Sequence, residues 1–241
     1  EMEFFCRPEE AEHWYQYWLD ARLQWYLDLG MHPDRVRMRA HDPEELAHYA
    51  AATSDVEYSF PWGWDELEGV ANRTDFDLKA HSEASGEDLR YYDQEADERF
   101  YPYVIEPAAG VTRSAFAFLI DAYEEEEVKG ETRVVLKLHP KLAPIKVAVL
   151  PLSKKDDLVE VTQQVAKQLR PHWAIEVDVT QSIGRRYRRQ DEIGTPYCVT
   201  VDFDTLEDQA VTVRDRDTME QDRLPIEGLV TYLVEKFGDR L

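Results

Sequence analysis

An alternation of strand-like and helix-like segments after residue 145 is the feature that most constrains how this chain can fold. The segments are a strand at 145–150, a helix at 156–170, a strand at 173–179, a basic helix at 182–192, strands at 199–203 and 210–214, and a helix at 225–237. Strands that alternate with amphipathic helices are typical of sheets covered by helices. This pattern predicts an α/β sandwich of about 100 residues.

The first part of the chain follows a different pattern. Its segments are a helix at 8–29, a short helix at 43–51, strands at 66–71 and 100–105, a polar excursion at 82–99, a helix at 111–123, an acidic loop at 124–127 and a strand at 133–138. Trp14, Trp18 and Trp25 lie at helical spacing, which fits core packing better than base stacking. The prolines at 140 and 144 indicate a linker. We therefore predict two domains, residues 1–138 and residues 139–241.

Charge divides the chain in the same place. Fifty acidic against 28 basic residues give a net charge of −22, whereas proteins that bind nucleic acid are usually basic. Residues 1–138 hold 32 acids and 13 bases (−19), and residues 139–241 hold 18 and 15 (−3). The composition by itself argues against nucleic acid, and the different electrostatic character of the two parts supports two domains. The acidity fits either adaptation to concentrated salt or an acidic protein from ordinary conditions.

The remaining composition excludes several classes of protein. Two distant cysteines, Cys6 and Cys198, argue against a disulfide framework or a four-ligand zinc site and fit a reducing compartment. No run of 18 apolar residues predicts a membrane span. The opening segment 1–5 reads like the middle of a strand. We expect the chain to be a fragment of a longer protein.

The segment 103–113 is the most informative candidate for chemistry. A buried strand ends at Glu106-Pro107, a turn of small residues follows, and Arg113 stands at the start of a helix. Small residues let a ligand approach the backbone, and an Arg beside free N–H groups suits a phosphate. A plain strand-to-helix turn with a surface Arg is the alternative. The acid pair Glu1 and Glu3 and the run 65–75 are two further candidates.

Several long strings resemble one family. The run 66–78 (ELEGVANRTDFDL) resembles the signature of bacterial and eukaryotic-type glycyl-tRNA synthetases, and 106–113 resembles their motif 3. Residues 1–5 resemble the closing strand of motif 2, and 184–196 with 213–221 resemble the family's anticodon-binding domain. The resemblance implies an α+β protein. It would consist of part of a class II antiparallel-sheet catalytic domain and a class IIa α/β anticodon-binding domain.

The resemblance also implies a reaction and its residues. Glycine would be activated by ATP, with Mg²⁺, to glycyl-adenylate and transferred to the 3′ end of tRNA(Gly), in a cytoplasmic homodimer with no membrane association. The implied glycine-binding residues are Glu1, Arg73, Glu106, Ala108 and Gly110. The implied ATP-binding residues are Glu66, Leu67, Gly110, Val111, Thr112 and Arg113, with Glu66 also a Mg²⁺ ligand. A substrate that offers only an ammonium and a carboxylate needs such a small, acidic pocket.

In the second domain the resemblance points to anticodon contacts. The implied residues are Arg185, Tyr187, Arg188, Arg214 and Arg216. Arginines suit both phosphate contacts and the edges of bases. The alternative for each arginine is an ion pair with one of the many acids.

The chain departs from the family pattern in three respects. Ala108 stands where the family usually has Ser, and Thr112 stands where an acid often precedes the motif 3 Arg. Motif 1 and most of motif 2 are not in this sequence, so we expect residues 1–241 alone to be inactive. A non-catalytic relative, such as a mitochondrial DNA polymerase accessory subunit, is the alternative, but retention of Glu1, Arg73, Glu106 and Arg113 together favours the enzyme.

Overall fold

The computed structural model describes residues 1–238 and shows two compact units. The first unit is Glu1–Asp121, and the second begins at Ala122. This division precedes the predicted boundary after residue 138, because the strand hairpin at 123–136 packs with the second unit. The assignment of functions to residues 1–138 and 139–241 stays a prediction. Within residues 1–238, no helix is long and apolar enough to cross a membrane.

The first unit is built on a five-stranded antiparallel sheet. Its elements are β1 (Phe4–Cys6), α1 (Ala11–Asp28), β2 (Val36–Ala40), β3 (Ala52–Phe60), β4 (Gly63–Thr74), α2 (Phe76–Ser85), β5 (Tyr91–Asp93), β6 (Glu98–Phe100), β7 (Tyr103–Ala109) and α3 (Val111–Ala122). The strand order is β1-β7-β4-β3-β2, and β5 and β6 form a separate hairpin within the predicted excursion. The helix predicted at 43–51 is wrong, since these residues form turns up to the start of the bulged strand β3.

Helix α1 covers one face of this sheet. Tyr15 and Leu19 of α1 pack with Val70 of β4 and Ile105 of β7 in one buried cluster. Trp14 and Trp18 lie against that cluster, as core packing predicts, whereas Trp25 is 40% exposed and stacks under a guanidinium. Because α1 occupies this face, the residues that alternate with Val70 and Ile105 point to the opposite face.

The second unit contains the predicted strand–helix alternation. Its elements are β8 (Tyr123–Val128), β9 (Glu131–Leu136), β10 (Val147–Pro151), α4 (Asp156–Leu169), β11 (Ile175–Val177), α5 (Ile183–Ile193), β12 (Tyr197–Val201), α6 (Thr205–Asp208), β13 (Ala210–Asp215), β14 (Gln221–Pro225) and α7 (Leu229–Phe237). The main sheet has the order β11-β10-β12-β13-β14, with the first three strands parallel to one another. Helices α4 and α7 contribute to the core on one face, and α5 packs on a second cluster with β10 and β12. The α/β sandwich is therefore confirmed.

The acidic run 124–127 is a strand, and its prediction as a loop is wrong. Strand β8 pairs with β9, and the alternation of the pleat directs Glu124 and Glu126 toward Lys137 and Arg133. Cross-strand pairs of opposite charge stabilise a hairpin that the acids alone would disfavour. The sequence alone suggested a solvated loop, because the basic residues that pair with these acids lie on a different segment.

Both cysteine thiols are buried and free. Burial raises the pKa of Cys6 to about 11 and that of Cys198 to about 12. The thiolate is the reactive form, so both groups stay protonated at pH 8. We expect neither thiol to react with Ellman's reagent in the native chain, and both to react in denaturant. Fast labelling of one native thiol, read by mass spectrometry, would contradict this burial.

Candidate active site and RNA interface

The face of the first sheet opposite α1 carries three of the residues that were predicted to bind the substrate glycine, namely Arg73, Glu106 and Ala108. In the register of β4 and β7, Ala71 lies opposite Glu106 and Gly69 opposite Ala108. The result is a floor of very small side chains beside a buried glutamate that is 8% exposed. A pocket built this way has room for a small ligand and a negative charge to hold a cation.

A β-bulge directs Arg73 into this pocket. The register of β4 with β7 shifts between Asn72 and Thr74, which leaves Arg73 without a cross-strand partner. Thr74 takes a left-handed conformation, with φ 56°, and its N–H donates to the side-chain oxygen of Asn72. A β-branched residue in this region is strained, and bulges of this kind re-aim side chains at functional sites.

The Arg73 guanidinium links two carboxylates. It donates to Glu106 through one terminal nitrogen and to Asp77 through Nε, at 2.8 Å. It also lies 4.4 Å from the centroid of the Tyr49 ring. The hydrogen bonds to Asp77 and Glu106 raise the pKa of Arg73 beyond its usual range. Arg73 is thus a permanent cation that fixes the orientation of the Glu106 carboxylate.

Glu3 completes a cluster of acids around Glu106. The N–H of Met2 donates to the carbonyl of Pro107 at 3.0 Å and extends the β1–β7 pairing, in which Phe4 faces Ile105. Glu3 thereby lies beside Glu106. Burial raises the pKa of Glu3, and the charge of Glu106 raises it further. The exposed Glu1 stands on the same face of the strand, and its charge also raises the Glu3 pKa. These acids repel one another and favour a cation between them.

The predicted nucleotide residues lie at the other end of the same strands. Arg113, in the first turn of α3, donates from Nε to the backbone carbonyl of Glu66, and its NH2 lies 2.9 Å from an Asp65 oxygen. Its guanidinium is 5.1 Å from the centroid of the Phe60 ring. Arg113 is 41% exposed at the side chain, so a phosphate can reach it. Gly110, Val111 and Thr112, which precede Arg113, are exposed, whereas Leu67 is buried.

The predicted magnesium ligand has acidic neighbours. Glu66 lies opposite Glu57 in the register of β3 and β4, and carboxylate oxygens of Glu66 and Asp55 both lie 3.6 Å from where a Cβ on Gly69 would stand. Magnesium is usually held by one or two carboxylates together with substrate phosphates, which these residues fit. Among residues 1–238, no group of three or more His, Cys, Asp or Glu side chains has the geometry of a metal site. Glu66 as a ligand stays a prediction.

Glu68 has a structural contact on the α1 side of the sheet. Its carboxylate accepts from Nε of Arg22 at 2.5 Å, from NH2 of Arg22 at 3.2 Å and from the Tyr26 hydroxyl at 2.8 Å. Glu68 is 2% exposed. Glu68 shares the α1 face with Val70, because the two residues are two positions apart on β4.

Two of the predicted anticodon arginines are buried in the second unit. Arg214 donates to both oxygens of Asp191, at 2.9 and 3.2 Å, and Arg133 donates to Asp191 at 2.9 Å. Arg216 donates to the carbonyls of Leu138 and Gly194 at 2.9 and 2.8 Å. Arg214 and Arg216 are 4% and 3% exposed, and their guanidinium groups have partners inside the unit. Their role as readers of bases stays a prediction. Arg133 of β9 and Arg214 of β13 both donate to Asp191 of α5 and so link these three elements.

The remaining predicted anticodon residues differ in exposure. Arg185 is exposed and makes no hydrogen bond or ion pair within residues 1–238. Arg188 lies 3.4 Å from Asp191 and is 34% exposed at the side chain. Tyr187 is half-buried, and its hydroxyl lies 2.6 Å from that of Thr200. Arg185 is therefore the member of the set with its charge free for a phosphate.

A cavity of the first unit lies away from this site. It measures about 760 Å³ and is lined by residues of β1, β5 and β6, including Phe5, Tyr91 and Phe100. None of the predicted glycine or ATP residues lines it. The candidate site is nonetheless the surface at Glu106, because the opposed charges and the strained bulge converge there.

Sequence reasoning named Glu3 as a candidate but gave it no role, and it missed Asp77 and Tyr49. The signal for Glu3 was its alternation with Glu1 along one strand, which places both residues on one face. Asp77 and Tyr49 had none, since the bulge at Arg73 decides which groups its guanidinium meets.

Comparison with known proteins agrees with this architecture. Residues 146–236 match the family described as "Anticodon binding domain". The whole fold is similar to the solved prolyl-tRNA synthetase of Cryptosporidium parvum in complex with L-proline and AMP. The TM-score is 0.69 at 19% identity, over 96% of this chain and 48% of the other. The fold is that of a class II aminoacyl-tRNA synthetase.

The curated relatives narrow the class to one family. Glycine–tRNA ligases from Corynebacterium efficiens, Staphylococcus haemolyticus and Bifidobacterium longum are 59%, 58% and 55% identical over 98%, 98% and 100% of this chain. The chain belongs to the glycyl-tRNA synthetase family. It spans about half the length of these relatives, 53%, 51% and 51% respectively.

Proposed function

We propose that this chain is part of a glycine–tRNA ligase. Glycine would react through its carboxylate with the α-phosphate of ATP and form glycyl-adenylate with release of pyrophosphate. The ribose hydroxyl at the 3′ end of tRNA(Gly) would then attack the glycyl carbonyl of the adenylate, form an ester and release AMP. The first unit would supply part of the site for activation, and the second would bind the tRNA.

The cluster formed by Arg73, Glu106 and Glu3 carries the proposal. Glu106 and Glu3 present carboxylates over the small side chains of Ala71, Ala108 and Gly69. Charge-assisted hydrogen bonds would hold the ammonium of the amino acid there. A bulkier side chain than that of glycine would meet the floor and its walls, whereas a substrate without an amino group would leave the acids uncompensated.

Arg73 would orient the carboxylate of Glu106. Its hydrogen bonds to Asp77 and Glu106, with the Tyr49 ring beneath it, hold the Glu106 carboxylate in one place before the substrate arrives. A pre-positioned charge does not need to reorganise when the substrate binds, which favours the productive geometry.

Arg113 and Glu66 would serve the nucleotide. Arg113 would offset the charge of the phosphates as pyrophosphate leaves, and Asp65 orients it in the structure described here. Bound Mg²⁺ would neutralise phosphate oxygens, with Glu66 as its protein ligand. Gly110, Val111 and Thr112 would present backbone groups at the start of α3.

We also propose the partners and location that such a protein implies. Glycine, ATP and tRNA(Gly) would be the substrates, the complete protein would be a homodimer, and the location would be the cytoplasm. The matched anticodon-binding domain supports the tRNA, and the free cation of Arg185 supports a contact to its backbone.

A chimera tests the activity. Residues 1–241 would replace the matching part of the Corynebacterium efficiens enzyme, which is 59% identical. We expect the chimera to catalyse glycine-dependent ATP–pyrophosphate exchange, and residues 1–241 alone to show none. The unmodified relative is the positive control.

Two results would contradict the proposal. A folded chimera without exchange activity, but with retained tRNA binding, would favour the non-catalytic alternative. Exchange by residues 1–241 alone would show that the half of the relatives not matched here is dispensable for activation.

A further inference from the structure

The carboxyl edge of the parallel strands in the second unit gathers groups that the site described above does not use. Because β10, β11 and β12 are parallel, the connections that follow them leave the sheet at the same edge. Lys154 and Lys155 follow β10, Arg185 follows β11 in the first turn of α5, and Phe203 follows β12. Ligands of open α/β sheets bind at this edge.

The usual crevice at this edge is filled by the protein. The connections after β10 and β11 lead to opposite faces, since α4 and α5 pack on different clusters. The buried guanidinium of Arg186 occupies the gap and donates to the carbonyls of Pro151, Val179, Thr180 and Gln181. A ligand at this edge therefore has to bind beside Arg186, on the surface formed by the connections that follow β10 and β12. We call this surface the rim.

That rim exposes an aromatic ring beside a cation. Phe203 is 42% exposed, and Nζ of Lys155 lies 4.7 Å from the centroid of its ring. The N–H of Leu152 donates to the carbonyl of Val201 at 2.7 Å and holds the two connections side by side. Lys154, Lys155 and Arg185 form no ion pair within residues 1–238, so their charges are available.

The charges of the rim select the kind of ligand. Asp156, Asp157 and Asp204 are exposed close to the lysines in sequence, so the rim is balanced rather than strongly basic. A balanced rim does not track a run of phosphates, whereas an uncharged nucleobase can stack on an exposed ring next to one cation. Unpaired bases of RNA loops are recognised in this way.

We propose that Phe203 and Lys155 form a stacking site for one unpaired base of the tRNA anticodon loop. The site rests on the tRNA part of the proposed function, and the buried Arg214 and Arg216 are not part of it. The exposed part of the Phe203 ring takes the base, and Lys155 contacts the adjoining phosphate.

Binding of an RNA hairpin by residues 1–241 tests the site. The probe is a fluorescein-labelled anticodon stem–loop of a glycine tRNA, measured by fluorescence anisotropy at several salt concentrations. Phe203→Leu should weaken binding about tenfold, because loss of an aromatic stacking partner typically has an effect of this size. Phe203→Trp should bind at least as tightly as the wild type. Val234→Ala, which shortens another exposed apolar side chain, is the matched control and should not change the affinity.

Two further measurements separate stacking from charge. Lys155→Gln should reduce the slope of log affinity against log salt by about one, whereas Phe203→Leu should leave that slope unchanged. Hairpins with an abasic site at each loop position in turn should include one that Phe203→Leu weakens no further, since both changes remove the same contact.

The possible outcomes distinguish a failure of the stacking site from a failure of the proposed tRNA binding. Equal hairpin affinity for the wild type and Phe203→Leu overturns the stacking site and leaves tRNA binding intact. No binding by the wild-type chain at low salt overturns the RNA role of this unit and the stacking site with it.

Discussion

Replacing Asp191 by Ala should lower the free energy of unfolding of the second unit by about 3–5 kcal/mol, the usual effect of leaving a buried charge without its partner. The Asp191 side chain is 1% exposed and pairs with Arg133 and Arg214, whose side chains are 0% and 5% exposed. Hydrogen exchange of the amides of β10 and β12 measures the effect, because these fully buried strands open only when the unit unfolds.

A matched variant controls for the loss of a helical acid. Glu235 is exposed on α7, and Glu235→Ala should change the stability by no more than about 0.5 kcal/mol. A loss below about 1 kcal/mol for Asp191→Ala would show that water or other acids compensate the two arginines.

The same residue predicts a pH dependence. Burial alone would raise the pKa of Asp191, but hydrogen bonds from Arg133 and Arg214 outweigh it and lower the pKa. The stabilisation is thus complete above the unfolded-state value of about 3.9 and is lost as the pH falls through the lower folded value. Asp191→Asn should remove this part of the acid sensitivity.

Replacing Glu106 by Gln should lower kcat/KM for glycine in the chimera about 10- to 100-fold. The change removes one charge-assisted contact, which is worth about 1.5–3 kcal/mol, without changing the shape of the side chain. The KM for glycine should carry most of the effect. Glu95→Gln, at the exposed turn between β5 and β6, is the matched control and should leave both constants unchanged.

The pH dependence of glycine binding offers a second view of this pocket. Because the pKa of Glu3 is raised above 4.5 by burial and by Glu106, Glu3 takes up a proton at a higher pH than an ordinary glutamate. Affinity for the ammonium of glycine should therefore decline as the pH falls into that range.

Wild-type kcat/KM in Glu106→Gln would exclude Glu106 as an ammonium ligand.

The sequence alone was sufficient for the architecture of the second unit and for the family. Hydrophobic periods of strands and helices alternate clearly from β10 to α7, and such periods reflect which face each element buries. Long ordered strings such as 66–78 carry the family resemblance, which the curated relatives confirm. The pairing of β8 with β9 was missed because its stabilising cations, Arg133 and Lys137, lie on the second strand and just after it.

Only the tertiary structure decided which charged side chains contact one another. Arg73 and Glu106 are 33 residues apart and come into contact through the β4–β7 register and a bulge at one residue, which no local pattern encodes. Arg185 and Arg214 look alike in sequence, yet one is exposed and the other is neutralised inside the unit by Asp191. Periodicity determines the face on which a residue lies, whereas the availability of its charge depends on partners from distant segments.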